Sequence, residues 1–404
     1  MKNIIVGQSG GPTAVINSSV AGVYKQAKEL GINKVYGMVY GIEGFLKENI
    51  IDLDEYLNNE ENYELLKRTP SAFLGSCRYK LPKIEGNEET YEKIFEILEK
   101  YEIDALFYIG GNDSMDTIKM LSDYAKEHNK PQRFMGIPKT IDNDLPITDH
   151  CPGYGSAAKY IATSIKEIIR DNSSFDKTRQ TICVVEIMGR HAGWLTAAAA
   201  LAKGDDSEGV DAIYLPEVDF NLDDFLDNIK ELIKTKSSIV IAVSEGIKTK
   251  DGKFVCELGS EDRAVDAFGH KQLSGCAATL SNIIAKETGI KTRAIEFSTL
   301  QRAATHIASL TDINEAELVG MKAVEAANNN HTGMMVTIQG GKETTTDIYD
   351  IHDIANVEKK VPLEWIDTKN NMMKQEFIDY ALPLIQGELT PIFKNGLPAH
   401  LIRK

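Results

Sequence analysis

Cysteine is sparse in this sequence: Cys77, Cys151, Cys183, Cys256 and Cys276 are odd in number, scattered, and include no Cys-x-x-Cys pair. That excludes a disulfide framework and points to a reducing cytoplasm. Long apolar runs are missing as well. No window approaches membrane-spanning length, and Met1–Gly7 runs into a strand-like segment without an apolar leader. The expectation is a cytoplasmic protein with no membrane partner. Positive charge is in deficit, with 45 Lys and Arg against 60 Asp and Glu, a net charge of −15. A chain of that sign is not expected to bind nucleic acid. An anionic substrate would need a local cluster of Arg and Lys working against the global field. There is no low-complexity segment and no short-period repeat. What remains is an ordinary apolar share, 42% of 404 residues, long enough for two domains.

The chain alternates short apolar strands with amphipathic helices. Asn3–Val6 stops at Gly7-Gln-Ser-Gly10-Gly11-Pro-Thr13, and a helix-like segment runs on to Leu30. This is the opening of a βαβ unit, with backbone N–H groups placed to face an anion. It is not a Walker loop, because no Gly-Lys-Ser/Thr follows. It does match Gly-x-Ser-x-Gly through Ser9, the pattern of a hydrolase nucleophile elbow, although no His or Asp partner declares itself. Lys34–Val39 is the next strand, and acidic, helix-prone sequence fills Asp52–Lys67. The small-residue loop Phe73–Tyr79 carries Arg78, a surface charge or a fork for a phosphate. Glu88–Tyr101 reads as a helix and Ile103–Ile109 as a buried strand, ending in Gly110-Gly-Asn112-Asp113-Ser and a helix to His128. Asp113 is either a cap or a group that meets a ligand.

Pro131–Met135 reads as a strand that delivers Gly136-Ile-Pro-Lys139-Thr140-Ile-Asp142-Asn-Asp144. Three loops should therefore converge on one edge of a parallel sheet, where such folds bind ligands. If the last loop is extended, Asp142 and Asp144 lie on one side. They would supply a general base and a metal or water ligand, beside the cation Lys139. A solvated Asx turn is the competing reading.

The strand–helix pattern starts afresh near residue 150, where a second domain is expected. Ala157–Arg170 reads as a helix, Thr181–Ile187 as a strand and Trp194–Ala202 as an Ala-rich helix. Ala212–Leu215, Leu222–Lys234 and Ser238–Val243 continue the series as strand, helix and strand. Residues 248–270 read as a polar excursion or hairpin, followed by the helix Gln272–Lys286 and the strand Lys291–Phe297. Asn314–Ala327 is a helix and Met334–Gln339 a final strand.

Taken in order, Gly10-Gly11, Leu74-Gly-Ser-Cys-Arg78, Gly110-Gly-Asn-Asp-Ser, Pro138-Lys-Thr-Ile-Asp142-Asn-Asp144, Met188-Gly-Arg190, Glu245-Gly and Gln301-Arg302 resemble the phosphofructokinase family. The match runs from about residue 4 to 340, and the Pro-Lys-Thr-Ile-Asp-Asn-Asp block is its most specific part. The resemblance implies an α/β fold of two Rossmann-like three-layer domains, with the active site in the cleft between them. A phosphoryl-donor domain is expected over 1–150, with about 312–355 returning to it. A sugar-phosphate domain is expected over 151–311 with about 356–404.

ATP-using members carry glycine at the positions matching Asp113 and Lys139, whereas pyrophosphate-using members carry Asp and Lys, as here. A carboxylate at Asp113 would repel the α-phosphate of ATP, and Lys139 would balance charge on a phosphate leaving group. The resemblance thus implies transfer from diphosphate to the 1-hydroxyl of fructose 6-phosphate, with Mg2+. Asp142 would be the base, flanked by Thr140 and Asp144. Gly10 and Gly11 would meet the donor phosphates and Arg78 the transferring group. Met188, Gly189 and Arg190 would line the sugar pocket, Glu245 would accept from sugar hydroxyls, and Arg302 would hold the 6-phosphate.

The sequence departs from the family at three places. Asn112 and Asp113 are the metal candidates, but Asn112 stands where many members have a metal-binding Asp and a neutral amide is a weaker ligand, so magnesium would lean on Asp113, Asp144 or diphosphate itself. Thr181 stands where the family takes an Arg from a neighbouring subunit, with Arg179 or Lys177 as substitutes. Ala21, Lys25, Glu48 and Asn49 replace the basic residues of a nucleotide effector site, so no nucleotide allostery is expected. The family implies a homodimer or homotetramer. The alternatives are an ATP-dependent or dual-donor enzyme, a kinase of sedoheptulose 7-phosphate, and a catalytically silent regulatory subunit.

Overall fold

The computed structural model describes residues 1–174, 178–258, 275–341 and 344–403. In chain order its main strands are β1 (Asn3–Gln8), β2 (Lys34–Met38), β3 (Ile50–Asp52), β4 (Ile103–Gly110), β5 (Arg133–Pro138), β6 (Thr181–Ile187), β7 (Ala212–Tyr214), β8 (Ser238–Ser244), β9 (Lys291–Glu296), β10 (Met334–Gln339) and β11 (Thr345–Asp350). They form a seven-stranded sheet, ordered β11-β10-β5-β4-β1-β2-β3, and a four-stranded sheet, ordered β7-β8-β6-β9.

The contacts divide the chain into two units. The first comprises Met1–Ser156, Arg302–Glu358 and Gly387–Lys404, and the second Ala157–Gln301 and Lys359–Gln386. The return to the first unit therefore begins at Arg302 rather than near 312. The expected assignment of all of 356–404 to the second unit fails for the segment from Gly387. Leu401 explains why: it packs against the first unit's core, and its N–H donates to Thr69 Oγ1 at 2.8 Å.

In the first unit β2, β1, β4, β5 and β10 run parallel, while β3 and β11 add antiparallel edges. The central strands read as apolar runs because both faces are covered. Ile4, Val6, Phe107 and Ile109 enter one core, and Ile5, Leu106, Tyr108 and Phe134 the other. Neither edge strand was legible in the sequence. β3 is three residues long, and β11 (Thr-Thr-Asp-Ile-Tyr-Asp) is largely exposed and polar. The helices Ile16–Glu29 and Leu310–Asn328 cross at near backbone contact. A Cβ at Gly22 would stand 2.0 Å from Glu317 O, and one at Gly320 2.3 Å from Ser19 O. Ser309 caps the second helix, its hydroxyl accepting from Asp312 N at 3.4 Å.

In the second unit the four strands of the sheet are parallel. Its core joins Ile182, Val184, Ile241 and Val243 to Phe225, Ile229, Leu280 and Ile284 of the helices Leu222–Thr235 and Cys276–Thr288. Asn221 caps the first of these helices through its side chain, which accepts from Asp223 N and Asp224 N. The Ala-rich helix splits into a helical turn, Trp194–Ala197, and a 3-10 stretch, Ala198–Ala202. Lys248 and Phe254 open the expected excursion as an antiparallel bridge. Its remainder from 259 to 270 lies outside the described residues, as does Lys177.

Candidate active site

The C-terminal ends of β1, β4 and β5 lie side by side in the first unit, and the three expected loops meet there. Ser9 N donates to Ile109 O at 2.9 Å, and Lys139 N to Gly110 O at 3.1 Å. Gly10 has φ +74, which an L side chain rarely adopts. Lys139 folds back over this turn, 4% exposed, with Nζ donating to Gly11 O at 2.8 Å. A Cβ at Gly11 would stand 3.1 Å from an Arg302 guanidinium nitrogen. Two cations thus converge on one glycine pair. Burial holds the Lys139 ammonium down at about 8, against the pull of Asp142 and Asp144 and with the push of Arg302.

The Thr140–Asp144 loop is not extended, so the expectation that Asp142 and Asp144 share a side by strand spacing does not apply. Asn143, buried, takes φ 54 and turns the chain. Thr140 Oγ1 accepts from Asp142 N at 3.0 Å, and Asn143 Oδ1 from Cys151 N at 2.9 Å. Burial, with the charge of Asp142 next, raises the Asp144 carboxyl well above the usual range.

Asn112 and Asp113 open the helix Asn112–Glu127. Asp113 is exposed in its first turn, where a carboxylate also suits the helix dipole. Asn112 Oδ1 is buried with no hydrogen-bond partner. An orphaned amide oxygen beside a carboxylate is a donor set that fits Mg2+, which takes few protein ligands and completes its shell with water and phosphate oxygens. Among the described residues no group of three or more His, Cys, Asp or Glu could hold a metal unaided.

Arg78 is exposed on a loop tied to the same turn. Cys77 O accepts from Gly10 N at 3.1 Å, and Ser76 Oγ donates to Gly10 O at 2.5 Å. The Gly10 amide, expected to face a phosphate, is therefore engaged within the chain. Behind the loop stands a buried amide pair that sequence reasoning missed. Gln8 Nε2 donates to Asn17 Oδ1 at 2.9 Å, while Gln8 Oε1 accepts from Leu74 N and Asn17 Oδ1 from Phe73 N. A polar residue in β1 followed by one in the next helix was the available signal. Ser9 is buried and hydrogen-bonded to Tyr108, so the exposed nucleophile that an elbow requires is not there.

The second unit gathers Met188, Gly189, Arg190 and Glu245 at the ends of β6 and β8. Gly189 has φ +145, and a Cβ there would stand 2.7 Å from Ala192 O and 2.9 Å from Ser244 Oγ. Its N–H donates to Glu245 Oε1 at 3.4 Å, and its carbonyl accepts from Ser244 Oγ. Met188 N donates to Gln301 Oε1 at 3.3 Å, a support that sequence reasoning did not assign. Arg179 is not brought to this cluster. It is exposed just before β6, at the opposite end of that strand, and lines a cavity of about 680 Å³ with Lys166, Arg170 and Lys236.

The profile of the phosphofructokinase family matches residues 3–327. The chain belongs to the phosphofructokinase family. A pyrophosphate–fructose 6-phosphate 1-phosphotransferase of Halomonas elongata is 40% identical over 402 residues, 98% of this chain and 94% of the relative. The enzyme of that name from Methylococcus capsulatus is 40% identical over 406 residues, 99% of this chain and 95% of the relative. The crystal structure of a pyrophosphate-dependent phosphofructokinase from Nitrosospira multiformis superposes with a TM-score of 0.89 at 36% identity, covering 99% of this chain and 95% of that one.

Proposed function

We propose that this chain transfers the terminal phosphoryl group of diphosphate to the 1-hydroxyl of fructose 6-phosphate, giving fructose 1,6-bisphosphate and phosphate, reversibly. The observation that carries the reading is Lys139, a buried ammonium seated on the Gly10–Gly11 turn. A fixed cation at that turn suits a compact, highly charged leaving group. Asp113, on the adjacent helix start, adds a negative charge that disfavours a longer polyphosphate tail. Asp142 takes the proton as the sugar oxygen forms its bond to phosphorus and the bridging P–O bond breaks. The electron pair leaves with phosphate, whose charge Lys139 balances.

Arg78 and Arg302 bind phosphate groups, Thr140 and Asp144 orient the reacting atoms, and Gly11 lies against the donor. Met188, Gly189, Arg190 and Glu245 bind the sugar, while Arg179, which lies away from that cluster in its own chain, supplies positive charge to a sugar phosphate held by a neighbouring copy. Asn112 and Asp113 would hold Mg2+, which when bound neutralises charge on diphosphate. The working protein is a cytoplasmic homodimer or homotetramer. Its five cysteines are buried thiols, and no helix among the described residues is long and apolar enough to cross a membrane.

The test is donor choice. Purified protein with fructose 6-phosphate and magnesium is expected to release phosphate from diphosphate and to leave ATP unused. Turnover with ATP alone overturns the donor assignment, and no turnover with either donor overturns the activity.

A further inference from the structure

Behind the Thr140–Asp144 loop lies a buried ionic cluster that the reaction does not use directly. His150 is 3% exposed. Its Nδ1 lies 2.9 Å from Asp149 Oδ2, and its Nε2 lies 2.7 Å from Glu315 Oε2. Glu315, 5% exposed, accepts from Thr344 Oγ1 at 2.7 Å through its other oxygen. One turn earlier on the Leu310–Asn328 helix, Asp312 accepts from Gly153 N and Ser156 N, each at 2.8 Å. The chain return around His150 is held on its other side by β10. Asp149 N donates to Ile338 O at 2.9 Å, Ile338 N donates to Thr148 Oγ1 at 2.9 Å, and Thr148 Oγ1 donates to His150 O at 2.8 Å.

The same return touches the catalytic loop at three points. Cys151 N donates to Asn143 Oδ1, Thr140 N donates to Pro152 O at 3.3 Å, and Thr140 pairs with Gly153 as an isolated bridge. Asn143 is the residue whose left-handed conformation separates Asp142 from Asp144. Any slip of residues 150–153 therefore moves Thr140, Asn143 and the two carboxylates together. The far anchor is rigid, because the helix carrying Asp312 and Glu315 is seated on Ile16–Glu29 at Gly22 and Gly320.

We propose that His150 is a positioning residue for the catalytic loop. Clasped as an imidazolium between Asp149 and Glu315, it ties the Thr148–Gly153 return to the Leu310–Asn328 helix and so sets where Asp142 meets its substrate. A neutral imidazole has one N–H, so it could donate to only one of the two carboxylates that face it. The imidazolium donates to both, and the two hydrogen bonds and two negative charges raise its pKa to about 9 despite burial. The charged groups facing it are Asp149 and Glu315, with Asp312 one turn away on the same helix. This inference rests on the reading of Asp142 as the base.

The experiment compares His150→Gln, Glu315→Gln and Asp142→Asn with the parent in the diphosphate assay, with thermal melts alongside. A misplaced base costs turnover more than binding, so His150→Gln is expected to lower kcat by on the order of 10- to 100-fold with KM for fructose 6-phosphate nearly unchanged. Glu315→Gln keeps a hydrogen-bond partner but removes one charge. Its imidazolium should deprotonate at lower pH, and the alkaline limb of kcat should move down with it. A role confined to stability would shift the melt and leave that limb in place. Folded His150→Gln with parental kcat, or Glu315→Gln with an unmoved alkaline limb, overturns the inference. Should His150→Gln fail to fold, the Glu315→Gln profile alone decides. Asp142→Asn separates the two readings: if it retains turnover the base assignment fails, whereas an inactive Asp142→Asn beside a fully active His150→Gln removes only the clasp.

Discussion

The loops at the ends of β1, β4 and β5 and those at the ends of β6 and β8 are built on different principles. The first set has at its centre ionisable groups pressed together out of water. Lys139 is held down by burial, Asp144 is pushed up by burial and by Asp142, and Arg302 stands against Gly11. The second set is held through its backbone by the side chains around it. Gly189 is locked between Glu245 and Ser244, and Gln301 fixes Met188. Charges in low dielectric act on bond making and on pH response, whereas rigid backbone acts on shape. The first should govern kcat and its pH dependence, and the second should govern recognition of the sugar.

Four substitutions would sharpen or break that contrast. The largest effect is expected for Asp142→Asn, which removes the proposed base and should lower kcat by about 10³-fold with little change in KM. A loss confined to KM would erase the distinction between the two regions. Next, Lys139→Met should lower kcat by roughly 10²-fold, since it deletes the cation facing the leaving group.

Lys139 also makes a prediction about pH. Its ammonium is neutralised above about 8 in the free enzyme, so kcat/KM of the parent should fall as pH rises through that value, whereas bound diphosphate keeps it charged in the complex and leaves the alkaline limb of kcat to His150. The stability effect has the opposite sign. The folded pKa lies below the unfolded one, so folding opposes the charge, and that penalty is relieved as pH rises from about 8 toward the ordinary lysine value. Melts and kcat/KM profiles that move together through this window would contradict the assignment.

In the second region Glu245→Gln should raise KM for fructose 6-phosphate by about tenfold while kcat changes by less, as expected for one lost charged hydrogen bond. Gly189→Ala is expected to be the mildest in turnover, read as a destabilisation of about 1–3 kcal/mol in a denaturant melt. Its φ of +145 and the 2.7 Å approach to Ala192 O leave no room for a side chain. A stable Gly189→Ala protein with unchanged KM would show that the strained turn does not shape the sugar site.

Much of the architecture was legible because both sheets are parallel and buried. β6 and β10 were readable residue for residue, and β1, β4 and β8 to within two residues at one end. Fully covered strands write continuous apolar runs, and the loops after them carry the glycines that tight strand-to-helix turns need. Edges write weaker signals, so β3 and β11 were not seen. The loop residues nominated in the first unit were brought together because sequential strands of a parallel sheet end on one edge, and Arg302, expected in the second domain, joins them against Gly11. Arg179 was not brought to the second unit's cluster, since a residue before a strand stands at that strand's other end.

The sequence alone determined the fold class and the strand ends that carry the candidate side chains, because each is written in contiguous residues. Only the tertiary structure decided how those side chains are held. The turn at Asn143, the engagement of the Gly10 amide by Cys77 O and the clasp of His150 by Glu315 have no signature in periodicity or composition. The His150–Glu315 pair spans 165 positions in sequence. No local pattern could announce it, because burial and electrostatic pairing at that range exist only once the helix at Leu310–Asn328 has docked.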